Sequence, residues 1–467
     1  MKHVVRCCIT TLCPVHIGCD EVYEPAGFVL DEKQQKLVVF DPMRFFAEMG
    51  AHDRSKFAEI CRRGTVSSIL EIYNFLRNRP ASGRAIALCS GFLDHYRKTL
   101  GMSTGDEKRI QQELNNFSIS RTAFLAHDQR PYVPGSAIKG AMRTGYLNGL
   151  AKEKRVPAPR RGDGHELEKA LLDGGSFDTD PFRMLKVSDF LPMGAVATRI
   201  LYAVNEKKKL SENRPRGPSQ ILEVIPPNTA FGGTITLDDP EKGAKIRNPI
   251  NFSTLWKNVN GFYSREKQQE DKELQGIGLN VPQLPESDPL ALIRLGRHSG
   301  AESVTIEGFR DIRIMQGKDQ KARFLPRATT LWLASNERLG SNKGALVPFG
   351  WAVLGELTPA IEETLRETEK STLQDTSGPF PEGKERDTTP PPAPLPTVTW
   401  EHADVTWSPG DASVVAKFER KQARGRGKEL VAEDFQKRLF KDKHAKARVI
   451  VIKENSEYFR IIRVERS

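Results

Sequence analysis

A glycine-containing segment with two cations is suited to holding a phosphate chain. It runs Pro131-Tyr-Val-Pro-Gly-Ser136-Ala-Ile-Lys139-Gly-Ala-Met-Arg143. Its Pro-Gly turn leads to Ser136, a good N-cap residue, which predicts a helix over about 136–150. The amides of a helix N-terminus favour anions, and Lys139 and Arg143 would share one helix face. The segment is therefore a candidate anion site, and the alternative is a capped helix with solvated cations. The Gly-Lys-Ser/Thr ending of an ATP-binding loop is absent.

A second segment combines the same residue types in a shorter loop. Its members are Gly296, Arg297, His298, Ser299 and Gly300. Glycine allows a tight turn, and the Arg297 guanidinium could bind a phosphate with two hydrogen bonds. His298 could stack on a base or donate to a sugar. The alternative is a basic hairpin with a purely structural role.

If the protein were an enzyme, His16 would be the candidate catalytic residue. It lies in Pro14-Val-His16-Ile-Gly18, directly after the first predicted strand. A histidine there could be the general base of metal-independent RNA cleavage, although a lone histidine is more often structural. No Ser-His-Asp order, HExxH motif or GxSxG elbow is evident. Together with His16, Cys13 and Cys19 would supply only three zinc ligands at an unusual spacing. Thiols packed in the core are therefore favoured, and we expect no metal or cofactor.

The net charge and composition of the chain limit the kinds of protein that it can be. The 467 residues include 71 Lys and Arg against 60 Asp and Glu, a net charge of +11. This excess favours a polyanionic partner, most commonly nucleic acid, over a generally basic surface. Six cysteines are too few for a disulfide framework and fit a reducing cytoplasm. No apolar run reaches the length of a membrane span, and no secretory signal is recognisable.

Short predicted strands alternate with predicted helices along the chain. This alternation predicts an α+β fold with mixed or antiparallel sheets, which must position these segments. Apolar and β-branched runs predict strands at 4–10, 37–40, 185–190, 195–204, 221–225 and 233–237. Residues 43–115 have the apolar spacing of helices. A further helix is predicted over 290–295, with Asp288 as its N-cap.

The composition changes near residue 376. Seven prolines between Pro379 and Pro396 indicate an extended linker, which we place at 376–397. Residues 398–467 have the pattern of a small β-rich module with one helix. This module has 16 Lys and Arg against 11 Asp and Glu, so it carries nearly half of the net charge.

The motifs together resemble the RAMP superfamily. Within it they are most similar to the fifth-subunit family of the Csm complexes, which are type III-A CRISPR effectors. The similarity covers about residues 1–360 and rests on 11–18 with Tyr23, 119–123, 132–144, 181–189, 295–308 and 348–351. The RAMP endoribonucleases that cut precursor CRISPR RNA share the fold, but they usually have a shorter chain that ends near the glycine-rich loop.

The resemblance implies two ferredoxin-like (RRM-related) halves with helical insertions, which we place at 1–240 and 241–375. It implies a non-catalytic subunit that caps the 3′ end of the guide CRISPR RNA, contacts neighbouring Csm backbone subunits and supports guide maturation. Trimming of the guide is attributed in the family to cellular nucleases. By motif position, the guide contacts would be Arg121, Ser136, Lys139, Arg143, Gly296, Arg297, His298, Ser299 and Gly300.

Two other functions stay open from the sequence. One is a metal-independent endoribonuclease that uses His16 or His298 to process CRISPR RNA. The other is a scaffold that docks a nuclease through residues 398–467, a module beyond the usual extent of the family.

Overall fold

The computed structural model describes residues 2–102, 107–156, 164–174, 176–210, 217–285, 289–315, 321–363, 397–408, 413–419, 421–427, 430–453 and 459–466. The chain divides into two compact units, Met1–Gly378 and Pro379–Ser467. Almost all of the predicted linker at 376–397 lies outside the described residues. Within these ranges, no helix is both long and apolar enough to cross a bilayer.

The first unit contains strands and helices in alternating blocks. Its strands are β1 (Lys2–Thr11), β2 (Gly18–Val22), β3 (Phe28–Asp31), β4 (Lys36–Phe40), β5 (Gly83–Leu88), β6 (Ile119–Thr122), β7 (Leu185–Val187), β8 (Leu191–Pro192), β9 (Arg199–Lys207), β10 (Gln220–Val224), β11 (Ala230–Asp238), β12 (Ala291–Arg294), β13 (Ile312–Ile314), β14 (Arg323–Leu325), β15 (Thr330–Ser335), β16 (Val347–Pro348) and β17 (Trp351–Glu356). Its helices are α1 (Pro42–Glu48), α2 (Ala51–Arg63), α3 (Val66–Leu76), α4 (Ser90–Leu100), α5 (Glu107–Asn116), α6 (Gly135–Lys154), α7 (Gly164–Leu172) and α8 (Phe252–Gly276).

The first sheet is antiparallel and has the order β12-β17-β1-β11-β7, with β8 also paired to β11. If β8 and β12 are left aside, the strands of this sheet and the helices α6 and α8 come along the chain in the order β1, α6, β7, β11, α8 and β17, that is, strand, helix, strand, strand, helix, strand. Ile9, Phe262 and Trp351 belong to the core that the sheet shares with α6 and α8. The β-branched run of β1 suits its central position, because such side chains pack well on a pleated surface.

Two glycines let α6 and α8 approach closely. A Cβ on Gly145 would lie 2.8 Å from Val259 Cα, and one on Gly149 would lie 2.2 Å from Asn258 Cγ. Asn251 caps α8 by accepting a hydrogen bond from the Thr254 amide at 2.8 Å.

The second sheet has the order β2-β6-β10-β9-β5-β4-β3, and β15 extends it by pairing with β9 and β16. It is mixed, because β5 runs parallel to β9 and β6 runs parallel to β10. The helices α3 and α4 cover it with a cluster of aromatic rings that includes Tyr73, Phe92 and Tyr96. The described part of the predicted helical region 43–115 holds five helices but also the strand β5.

Both sheets contain strands from before and after residue 240, so the predicted boundary between 240 and 241 does not separate them. Long-range pairing causes this, because β1 pairs with both β11 and β17. The predicted helix over 290–295 is wrong: Ala291–Arg294 is the strand β12. All four of its side chains are buried, and its pairing with β17 outweighs the local helix signal.

The second unit contains a closed five-stranded barrel. Its elements are β18 (Thr397–Ser408), β19 (Ser413–Phe418), β20 (Lys421–Arg426), a helix α9 (Glu433–Asp442), β21 (His444–Lys453) and β22 (Phe459–Arg466). Trp407, Leu439 and Val449 lie in its core. The run Lys421–Arg426 that forms β20 is polar, so the sequence carries no apolar signal for this strand.

Candidate nucleic-acid interface

The loop 296–300 packs against the segment around His16 by close main-chain approach. The amide of Arg297 donates to the His16 carbonyl oxygen at 2.8 Å. Gly296 has a φ of +80°, and a Cβ there would lie only 2.3 Å from that same oxygen. Glycine is therefore required at 296 by both the backbone angle and the space.

A chain of backbone contacts joins this loop to the other predicted segments. The Ala123 amide donates to the Ile17 carbonyl oxygen at 2.7 Å, and the Tyr132 amide donates to the Ala123 carbonyl oxygen at 3.2 Å. Val133 then forms a bridge with Phe190. The structure thus brings the loop, residues 14–18, residues 121–123 and the start of α6 into one connected region.

Arg297 is the accessible cation of the loop. Its side chain is 51% exposed, and its nearest carboxylate, Asp20, is 3.7 Å away and almost fully exposed. A Cβ on Gly18 would lie 3.0 Å from Arg297 Cδ, so the side chain lies directly over Gly18. A guanidinium held in this way by a loose surface pair can exchange the carboxylate for a phosphate.

The other two side chains of the loop face the protein. The ring centroid of His298 lies 4.6 Å from that of Trp332 and 5.4 Å from that of Phe349. Burial, with smaller effects from His16 and Arg297, lowers the pKa of His298 to about 4, so the ring is neutral at pH 7. Ser299 is 7% exposed, and its hydroxyl donates to the Gly296 carbonyl oxygen at 2.9 Å. Both side chains therefore shape the loop.

His16 is fully buried beneath the loop. Its Nδ1 lies 2.8 Å from the Glu223 carbonyl oxygen, and burial lowers its pKa. The carboxylate of Glu223 is itself buried and accepts hydrogen bonds from the hydroxyl groups of Tyr23 at 2.8 Å and Thr198 at 2.6 Å, beside Arg84. A general base must come within hydrogen-bond distance of its substrate, and in this structure His16 lies beneath the surface.

The start of α6 differs from its prediction. The helix begins at Gly135 with Pro134 at the N-cap position, so the predicted role of Ser136 as N-cap is wrong. Ser136 is an exposed residue of the first turn. The Gly135 amide donates to the Asp189 carboxylate at 2.8 Å, so a carboxylate already occupies one amide of this helix end.

The two predicted guide-contact cations of α6, Lys139 and Arg143, have different surroundings. Arg143 forms ion pairs with Glu168 at 2.6 Å and Asp180 at 2.9 Å. Lys139 is half-buried, which lowers the pKa of its ammonium group, and no described carboxylate lies within ion-pair distance of it. Of these two, Lys139 is therefore the cation that remains available to a bound anion.

Arg121 is packed rather than free. Its guanidinium lies 3.5 Å from the ring centroid of Phe124 and 5.0 Å from that of Tyr23. It donates to the Gln129 amide oxygen at 2.8 Å, and its side chain is only 12% exposed. Arg121 thus stabilises the connected region from within.

Sequence reasoning missed the charged network behind the loop. Glu270 on α8 pairs with Arg294 at 2.7 Å and accepts a hydrogen bond from the Trp351 indole at 2.6 Å. Glu302 accepts from Lys208 at 2.7 Å. The four charged side chains, Glu270, Arg294, Glu302 and Lys208, line a cavity of about 140 Å³ that also reaches His298. The apolar spacing of α8 after its Asn251 cap was the signal that could have revealed this helix.

Comparison with known families agrees with this architecture. Residues 8–279, more than half of the chain, match the model of the RAMP superfamily. The chain belongs to the RAMP superfamily. The loop 296–300 lies beyond the matched residues, so its assignment rests on the contacts described above.

Two curated proteins are similar to this chain. They are the CRISPR system Cms protein Csm5 of two Mycobacterium tuberculosis strains, CDC 1551 / Oshkosh and ATCC 25618 / H37Rv, each 25% identical over 251 residues. The alignment covers 48% of this chain and 64% of those proteins, just under two thirds of their length. The family match confirms the predicted resemblance to the RAMP superfamily, and these relatives confirm the predicted resemblance to its fifth-subunit Csm branch.

Two solved structures resemble the RAMP fold of this chain. One is a chain of a Csm-crRNA-target RNA ternary complex from a type III-A CRISPR-Cas system, with 17% identity and a TM-score of 0.47, covering 75% of this chain and 100% of that one. The other is Csm5 of T. onnurineus, with 18% identity and a TM-score of 0.44, covering 74% of this chain and 99% of that one.

Proposed function

We propose that this RAMP protein is a non-catalytic, RNA-binding subunit of a type III-A CRISPR (Csm) effector. The observation that carries the proposal is the connected region in which the glycine-rich loop, with its exposed Arg297, packs against residues 14–18. The Csm5 names of its curated relatives support the same function. Its partners would be the guide RNA and neighbouring Csm RAMP subunits in the cytoplasm.

The finer role follows the family resemblance. The subunit would cap the 3′ end of the guide filament and support guide maturation, with cellular nucleases trimming the RNA. Its first sheet with α6 and α8 would be one ferredoxin-like half, because its elements follow the strand-helix-strand-strand-helix-strand order of that fold.

The interaction would use the RNA backbone. Close main-chain approach at Gly296 holds the loop against His16, and Arg297 and Lys139 would neutralise phosphates of the RNA. Such contacts are tolerant of sequence and weaken as salt rises. An RNA-guided system reads its target by base pairing, so backbone contacts suffice for this subunit.

The test removes the two accessible cations together in Arg297→Ser/Lys139→Ser. Arg143 is left in place, because removing it would leave Glu168 and Asp180 without their cation. We expect the slope of log affinity against log salt for guide RNA to fall by about 1.4, since each lost phosphate contact on a single strand contributes about 0.7. Fluorescence anisotropy with labelled guide RNA gives this slope.

The matched control is Lys33→Ser/Arg62→Ser, which removes two exposed cations on other elements. It should leave affinity and slope unchanged. Equal slopes in the two double variants would contradict the proposal. Cleavage of guide precursor in EDTA that disappears in His16→Ala would instead support the endoribonuclease.

A further inference from the structure

The strand order of the barrel is informative by itself. Numbered from β18, the strands close in the order first, second, third, fifth, fourth and back to the first. The third and fifth strands, β20 and β22, are parallel, and all other neighbours are antiparallel. The helix α9 lies between the third and fourth strands. This is the arrangement of OB barrels, which bind oligonucleotides or oligosaccharides on the face of their second and third strands.

In this barrel the outer face of β19 and β20 is basic. Lys417 lies opposite Gln422, and Val415 lies opposite Arg424. Lys417, Gln422 and Arg424 are exposed, while the alternate residues Ala416 and Ala423 are buried in the core. Lys421, the first residue of β20, is also exposed at the hairpin between the strands. Among the described residues, no carboxylate forms an ion pair with Lys417, Lys421 or Arg424.

The outer face of β18 and β21 differs, because its cations have acidic neighbours. Arg448 pairs with Glu401 at 3.0 Å. Lys446 lies opposite Asp404, which also lies opposite Lys417 on its other side. Asp404 therefore marks the border between a charge-balanced face and a basic face.

We propose that the outer face of β19 and β20 is a second binding site for single-stranded RNA, separate from the glycine-rich loop. Six residues of strand span about 20 Å, enough for a few nucleotides. The exposed cations favour a polyanion over a neutral oligosaccharide. They also favour RNA over a docked protein, because the cores of protein interfaces are depleted of charged residues.

The test uses the full chain with Lys417→Ser/Arg424→Ser and the matched control Lys446→Ser/Arg448→Ser. Both double variants lose two exposed cations of the same barrel, so their folding should match the wild type by Tm. The probe is an unstructured oligouridine of about 20 nucleotides that contains 4-thiouridine, with affinity measured between about 50 and 200 mM KCl. We expect the first variant to lower the salt slope by about 1.4 and to lose cross-links to peptides from 413–427. The control should retain both.

Cross-link mapping keeps this inference distinct from the proposed function. The variant Arg297→Ser/Lys139→Ser should lose only the cross-links near the glycine-rich loop, whichever way the barrel experiment ends. An unchanged salt slope together with an absence of barrel cross-links in the wild type would overturn the inference. So would a Lys417→Ser/Arg424→Ser variant that keeps its RNA affinity and instead loses a co-purifying Csm protein.

Discussion

At the level of single residues, the candidate site depends on which charges are already neutralised. Arg143 and Arg121 belong to the predicted contacts, yet one is held by two carboxylates and the other by aromatic rings. Arg297 and Lys139 remain available. A phosphate would have to displace Glu168 and Asp180 to reach Arg143, so the usable part of the motif is smaller than its sequence indicates.

His298 should make the stability of the first unit depend on pH. Its pKa is lowered by burial from an ordinary value near 6.5 to about 4, so the folded protein resists protonation that the unfolded chain accepts. The contribution of His298 to the free energy of unfolding is therefore fully present above pH 6.5. It falls as the pH drops toward 4, by at most about 1.4 kcal/mol per pH unit. Calorimetric Tm values between about pH 7.5 and 5 measure the loss.

The variant His298→Asn isolates that contribution. Asparagine tolerates the left-handed backbone found at 298, where φ is +64°, and it does not titrate. We expect the Tm of the variant to decline less over the same pH range than that of the wild type. Parallel declines would show that His298 is not responsible.

The sequence drew attention to the candidate site residues but not to their surroundings. Spacing alone drew attention to Lys139, Arg143 and the loop 296–300, because glycine and cations at turns are a local signal. The partners of Arg143 lie 25 and 37 residues further along the chain, so only the fold shows that they neutralise it. The burial of His16 against Glu223 joins residues 207 apart and was equally invisible.

At the level of elements, the contact between α6 and α8 requires small residues. The variant Gly145→Ala would place a Cβ 2.8 Å from the Val259 backbone and force the helices apart. Overpacking of this kind costs about 1–3 kcal/mol, partly offset by the better helix propensity of alanine. We expect a net loss of about 1–2 kcal/mol in the free energy of unfolding, measured by urea denaturation.

Gly140→Ala is the matched control on the same helix. Gly140 is exposed, and a Cβ there would meet nothing within 4 Å. The substitution should raise stability by up to about 1 kcal/mol, since only helix propensity changes. Equal effects of the two substitutions would contradict the close-contact explanation.

Removal of one partner of the buried ion pair between α8 and β12 should strongly destabilise the protein. Glu270→Ala leaves the buried Arg294 without its carboxylate and the Trp351 indole without its acceptor. We expect a loss of about 3–5 kcal/mol, seen as a large drop in Tm. Glu48→Ala, which breaks an exposed pair with Arg44, should change Tm little. A small effect of Glu270→Ala would contradict the supporting role of this network.

Local patterns predicted these elements unevenly. The strand β1 and the helix α6 were found because their apolar spacing and turns are strong local signals. The 25-residue α8 went unnoticed among its many charges, several of which are buried in ion pairs. Ala291–Arg294 was mistaken for a helix, because only its pairing with β17 makes it a strand.

At the level of the whole molecule, the chain has two units with separate cores. We expect calorimetry of the full chain to show two unfolding transitions. Leu439→Ala, in the barrel core, should destabilise the barrel by about 2–5 kcal/mol and shift only one transition. Gly145→Ala should shift only the other. A single transition that moves with either substitution would show that the units unfold together.

The position of β1 in the middle of the first sheet affects how the chain is made. Its two neighbours, β11 and β17, end at residues 238 and 356, so the second edge of β1 stays unpaired until most of the first unit has left the ribosome. At about 5–20 residues per second, that wait is roughly 20–70 s. An open strand edge is prone to aggregate during this time. The yield of folded protein should therefore depend on chaperones that bind the unpaired strand β1 during synthesis.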